Sequence, residues 1–167
     1  MPEDIRTLLV VGDDEVAAVA DALAAVATAL GWSATTVDDL DAVHRALPVT
    51  DAVVVLSHHQ GLDGPSLAAA LDSDVRYVGA MGSRRTQARR KDWLVEHGVS
   101  EETQARIHGP AGLDIGADTP AEIAVSILAE VIAVRHDLSG GALSARSGPI
   151  HPDLAAGEAL CPGEPDR

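Results

Sequence analysis

The residues with the clearest capacity for chemistry fall in two glycine-bearing blocks. In Gly79-Ala-Met-Gly-Ser-Arg-Arg-Thr86, Gly79 and Gly82 let backbone amides approach a ligand. Ser83 can cap a helix or donate a hydrogen bond, and Arg84 and Arg85 bring fork-shaped positive charge to a helix start. A phosphate or a pterin phosphate fits that chemistry. The plainer alternative is that the glycines tighten a strand-to-helix connection and Ser83 is an N-cap. In the second block Gly109, Gly112 and Gly116, with His108 and Asp114, form a loop built for close approach to a ligand or to neighbouring backbone. His108, Asp114 and His58 could share a divalent metal, but their spacing demands none.

Three further positions carry polar groups at expected strand ends. Ser57-His58-His59 offers a hydroxyl and two imidazoles, but sequence neighbours on a strand point to opposite faces, so Ser57 and His58 make a poor nucleophile and base pair. His58 and Asp63 could instead meet a ligand or a metal, or cap the loop locally. The first strand is followed by Gly12-Asp13-Asp14-Glu15-Val16-Ala17, which keeps one glycine of a dinucleotide fingerprint and puts acids where a diphosphate would sit. Asp38, at the end of the second strand, could accept a bond from a ribose hydroxyl or equally cap a turn or helix, and the acidic first loop argues against ordinary NAD(P) binding. Thr119-Pro120-Ala121-Glu122 is a capping box with proline at the first helical position, which explains Glu122 without catalysis.

The elements that must position these groups alternate. Strands are expected at Thr7 to Val11, Trp32 to Val37, Ala52 to Leu56, Val75 to Val78 and near Ala105 to Ile107. Helices are expected at Asp14 to Leu30, Asp39 to Leu47, about Gly64 to Leu71, Arg84 to His97 and Pro120 to about His136. Short connections between alternating elements imply parallel pairing with right-handed crossovers, hence a three-layer, doubly wound α/β fold with a mainly parallel sheet. Ligands on such sheets bind beyond the carboxyl ends of the strands. The last helix is apolar almost all round, with a narrow polar stripe through Ser126 and Glu130, so it is either central or half of a subunit interface. One domain over 1–138 and a Gly- and Pro-rich extended or disordered tail over 139–167 are expected.

Composition narrows the class. The chain has 167 residues, no Phe and few other aromatics, so its core must be aliphatic and stacking platforms for bases are scarce. A formal charge of -14 opposes attraction to nucleic acid or anionic lipid. Five of the 12 basic residues, Arg84, Arg85, Arg89, Arg90 and Lys91, cluster in one short run, which is a local positive patch or a solvated helix face. No signal peptide or membrane span is legible, which predicts a cytoplasmic protein. The single cysteine, Cys161, excludes an intramolecular disulfide and a multi-cysteine metal site, and reads as incidental.

From about Arg6 to His136 the chain resembles the Rossmann-like C-terminal domain of the XdhC/CoxI family, most specifically in Tyr77 to Thr86 and Gly109 to Glu130. The family's glycine-rich first loop is degraded here, and its Thr-His-Asp after the third strand appears as Ser57-His58-His59. The resemblance covers the Rossmann-like domain and not the family's N-terminal domain, which on this reading a separate polypeptide is expected to supply. The resemblance implies an accessory or chaperone protein that binds the molybdenum cofactor (molybdopterin) as cargo for a molybdenum hydroxylase apoenzyme of the xanthine or carbon monoxide dehydrogenase type. It implies a homodimer without catalytic residues. On that reading Gly79, Gly82, Ser83, Arg84 and Arg85 face the phosphate, while Ser57, His58, Gly112 and Asp114 line the same crevice. Two other readings stay open: an NAD(P)-dependent oxidoreductase with an altered phosphate loop, and a regulatory or scaffold domain that has lost its ligand.

Overall fold

A computed structural model describes residues 5–148 and 150. Five parallel strands form one sheet: β1 (Thr7–Val11), β2 (Ser33–Val37), β3 (Ala52–Val55), β4 (Tyr77–Ala80) and β5 (Ile107–His108), in the order β2-β1-β3-β4-β5. The helices are α1 (Ala17–Ala29), α2 (Leu40–Ala46), α3 (Asp63–Leu71), α4 (Arg84–Glu96), α5 (Glu101–Gln104) and α6 (Pro120–Arg135). Alternating strand side chains feed two cores. Leu8, Val10, Ala52, Val54, Leu56 and Tyr77 meet residues of α1 and α6 on one face. Leu9, Val11, Val53, Val55, Val78 and Ala80 meet residues of α2, α3 and α4 on the other. The expected three-layer parallel architecture is therefore present, with an aliphatic interior in which Tyr77 is the largest fully buried side chain.

Three local differences from the sequence expectation affect the site. The first helix begins as a 3-10 turn at Asp14–Val16, capped by Asp13. A short helix, α5, precedes β5. The fourth strand runs to Ala80, so Gly79 lies in the ladder between Val54 and His108 instead of in the turn that follows. A glycine is required at that ladder position by Tyr77, two residues earlier on the same face. Its ring lies over the space a side chain at 79 would need, and a Cβ there would come 2.6 Å from Tyr77 Cε1. Gly79→Ala is expected to destabilise the fold by about 1–3 kcal/mol through this overpacking, measured as a lowered urea midpoint.

The all-round apolar character of α6 is largely explained by a central position. Ala124, Ile127, Leu128 and Val131 are buried in the core beside α1, while Ile132, Ala129 and Ala133 line an apolar groove with Leu113, Leu138 and Leu143. Val125 stays exposed. Beyond Leu138 the described chain is irregular apart from a 3-10 turn at Leu143–Ala145, and Gly140 sits against Leu113. Cys161 lies outside the described residues.

Candidate functional site

The carboxyl ends of β3, β4 and β5 carry the polar groups expected there, held by two charged nodes. The first is Arg90. Its guanidinium is only 2% exposed, against an Asp63 side chain that is 4% exposed, with Nε donating to Asp63 Oδ2 at 3.3 Å. Its other nitrogens donate to the carbonyls of Ser57 at 2.8 Å and Met81 at 2.7 Å, so one side chain joins the segments that leave β3 and β4. Arg89 adds a second bond to Asp63 Oδ2 at 3.0 Å and one to the His58 carbonyl at 3.1 Å. Burial pulls the Arg90 guanidinium below its ordinary pKa, against the opposing pull of Asp63. The basic run is thus neither a single patch nor a single solvated face: Arg84 and Arg85 are exposed, while Arg90 is an interior strut. Asp63, weighed as a ligand or metal contact, is committed to these two arginines and to the Gly64 amide.

Glu130 of α6 is the second node. Its Oε2 accepts from the Tyr77 hydroxyl at 2.6 Å and from the Gly112 amide at 2.8 Å, and its Oε1 lies 3.3 Å from His108 Nδ1. His108 stacks on Tyr77 with ring centroids 4.7 Å apart. Burial alone would raise the Glu130 carboxyl, but the hydrogen bonds from His108, Tyr77 and Gly112 hold it below the ordinary carboxylate value. The same burial and the nearby carboxylate push the Tyr77 phenol well up, so it stays protonated as a donor. Glu122, by contrast, does what its capping box predicts, accepting from the Thr119 and Asp118 amides at 2.9 and 3.0 Å.

Between the β4–α4 and β5–α6 loops lies a cavity of about 610 Å³ whose walls include Gly82, Arg84, Gly112, Asp114, Ile123 and Ser126. Four of the expected site residues therefore meet there. Gly82 and Gly112 have φ of +134° and +110°, and a side chain on Gly112 would strike the Ser126 hydroxyl. Ser83 caps α4, its Oγ accepting from the Thr86 amide at 3.3 Å, and sits outside this wall with Arg85. Ser57 is fully buried, its hydroxyl accepting from the His59 amide at 3.1 Å, and His58 contributes its carbonyl to Arg89. Gly79 lies behind the site under Tyr77. Sequence reasoning misses Arg90 and Glu130 as anchors; the signal for Glu130 is one acid in the middle of an apolar helix.

At the other end of the carboxyl edge, the order β2-β1-β3 reverses chain direction across the sheet between β1 and β3, the switch point where doubly wound sheets take nucleotides. Here the neighbouring groove, about 280 Å³, is lined by Asp13, Asp14, Asp21 and Asp38 and by no basic residue among those described.

The strand order defines a doubly wound Rossmann-type domain, and its two glycine-bearing loops gather beyond the carboxyl ends of β4 and β5. Within that class, the chain belongs to the XdhC Rossmann domain family, whose model matches residues 8–131. It is 38% identical over 117 residues to the molybdenum cofactor insertion chaperone PaoD of Escherichia coli strain K12, covering 70% of this chain and 37% of that protein. To YqeB of the same organism it is 33% identical, covering 74% of this chain and 24% of the relative. To a probable xanthine dehydrogenase subunit of Bacillus subtilis strain 168 it is 35% identical, covering 51% and 24%. The chain thus spans between a quarter and somewhat over a third of these relatives' lengths. A solved structure described as a xanthine dehydrogenase from Bacillus halodurans shares the fold, with a TM-score of 0.61 at 22% identity over 79% of this chain and 43% of the other. Among the described residues, no helix is long and apolar enough to cross a membrane.

Proposed function

We propose that the chain is an accessory protein for a molybdenum hydroxylase and that it receives the molybdenum cofactor as cargo in the cavity between the β4–α4 and β5–α6 loops. The observation that carries this is the meeting of the two glycine-bearing blocks in one cavity. Its volume of about 610 Å³ falls in the ordinary range for small-molecule sites. The relatives named for cofactor insertion and for xanthine dehydrogenase supply the client class. In this reading the phosphate of the cofactor lies at the start of α4, facing Gly82 and Arg84, where amides and guanidinium both favour an anion, with Arg85 adding positive charge from outside the wall. Ser83 holds that helix start in place. Gly112 and Asp114 border the pterin, and Gly79, Ser57 and His58 support the site from behind. None of these groups pairs a nucleophile with a base, which suits binding and release over catalysis. The same reading makes the protein a cytoplasmic homodimer that meets its apoenzyme, and a polypeptide with the family's N-terminal domain, through exposed surface.

Calorimetric titration with anaerobically prepared cofactor tests the reading. Arg84→Ala is expected to weaken binding about tenfold or more, the worth of one charge-assisted hydrogen bond, with NAD, NADH and NADP silent. Nicotinamide binding without cofactor binding would replace this reading with the oxidoreductase, against which the four-aspartate groove now stands.

A further inference from the structure

The switch point between β1 and β3 holds a second group of chemistry-bearing residues, separate in sequence and in walls from the cavity above. Asp13 caps the 3-10 turn through Oδ1, which accepts from the Glu15 amide at 2.9 Å. That leaves Oδ2 pointing across the crevice at His59 Nε2, 3.2 Å away. Asp13 Oδ2 is shielded from solvent and accepts no hydrogen bond, and an imidazole nitrogen can donate to it only when that nitrogen carries a proton. The Glu15 carboxylate completes the group: one ligand atom from each of Asp13, Glu15 and His59 lies within 4.8 Å of the others.

The backbone around these donors is set by other contacts. The His59 amide donates to Ser57 Oγ, and the His59 carbonyl accepts from the Leu62 and Asp63 amides at the start of α3. Asp63 in turn is anchored by Arg90. Two loops that are remote in sequence therefore present their ligands to one point. The adjoining groove adds Asp14, Asp21 and Asp38 and, among the described residues, no basic side chain, so negative charge is concentrated there. A divalent cation held between the His59 imidazole and the two carboxylates offsets that charge and satisfies both carboxylates at once.

We propose that Asp13, Glu15 and His59 form a binding site for a divalent first-row transition metal of the Mn²⁺ or Zn²⁺ kind. The imidazole nitrogen favours a transition ion such as Zn²⁺ over Mg²⁺ or Ca²⁺, which favour all-oxygen shells, and the two carboxylate oxygens also suit Mn²⁺. Three protein ligands leave positions open to water or to an oxygen of a bound ligand. The proposal does not depend on the cofactor reading of the cavity.

The test uses the full chain, stripped with EDTA, dialysed, and titrated with MnCl₂ while the electron paramagnetic resonance signal of free Mn²⁺ is followed. A parallel calorimetric titration uses ZnCl₂. One equivalent of metal is expected to bind, with affinity lowered at least tenfold in both His59→Ala and Glu15→Gln. Both side chains are exposed and neither caps a helix, so the melting temperature of the metal-free variants should match that of the parent. No binding of either ion would overturn the proposal and leave Asp13 and His59 as an ion pair. Binding that survives both substitutions would overturn it too, placing the metal elsewhere on the chain. Displacement by equimolar Mg²⁺ would refute the assigned ion class.

Discussion

Asp63→Ala is expected to cost about 3–5 kcal/mol of folding stability, the usual penalty for stranding one member of a buried ion pair. The partner left behind, Arg90, is 2% exposed and cannot reach water by rotation without giving up its bonds to the Ser57 and Met81 carbonyls. Arg89 would lose its carboxylate as well, but its side chain is 42% exposed and resolvates at little cost. A chemical denaturation curve reads the effect directly. Pairing Asp63→Leu with Arg90→Met separates the loss of attraction from the cost of an uncompensated charge. The double variant should regain most of the stability, yet still lack the bonds that join the ends of β3 and β4. If Asp63→Ala lowers stability by less than about 1 kcal/mol, in the range of exposed pairs, the node does not have the role assigned to it.

Glu130→Ala should have the second largest effect, about 2–4 kcal/mol, because it leaves the buried Tyr77 hydroxyl and the Gly112 amide without an acceptor. The pH dependence has a definite sign. Hydrogen bonds hold the folded carboxyl of Glu130 below its ordinary value, so the unfolded chain binds its proton first as pH falls. The stabilisation is complete above the ordinary carboxylate pKa of about 4.3 and is lost as pH drops from there through the lower folded value. Glu130→Gln keeps an acceptor oxygen and removes the titration. Its stability should therefore fall less steeply with acid than that of the parent, in melting curves taken between neutral pH and the acid limb. Parallel acid limbs would exclude the coupling.

Much of this fold is legible in the sequence because each local pattern agrees with the global one. The unbroken apolar run of β3 announces a sheet covered on both faces, and the Thr119 to Glu122 capping box marks the start of α6. The cavity is partly legible: Gly82, Arg84, Gly112 and Asp114 group together on sequence grounds and do share a wall. What stays hidden depends on contacts between distant residues. A glycine normally ends a strand expectation, and nothing local reveals that the ring of Tyr77 fills the face above Gly79. Arg90 looks like its neighbours Arg89 and Lys91; only its position one helical turn before the buried Leu94 hints that it faces inward. Glu130 reads as one polar residue on α6 until Tyr77, 53 positions earlier, is seen to reach it.

The two nodes also bear on the thermodynamics of anything that enters the cavity. Arg90 fixes the segment leaving β4 through the Met81 carbonyl, and Glu130 fixes the opposite loop through the Gly112 amide. A molecule entering there would meet these two backbone points already fixed, so the cost of ordering them, on the scale of about 0.5–1.5 kcal/mol for an immobilised side chain, would be met by folding and not by association.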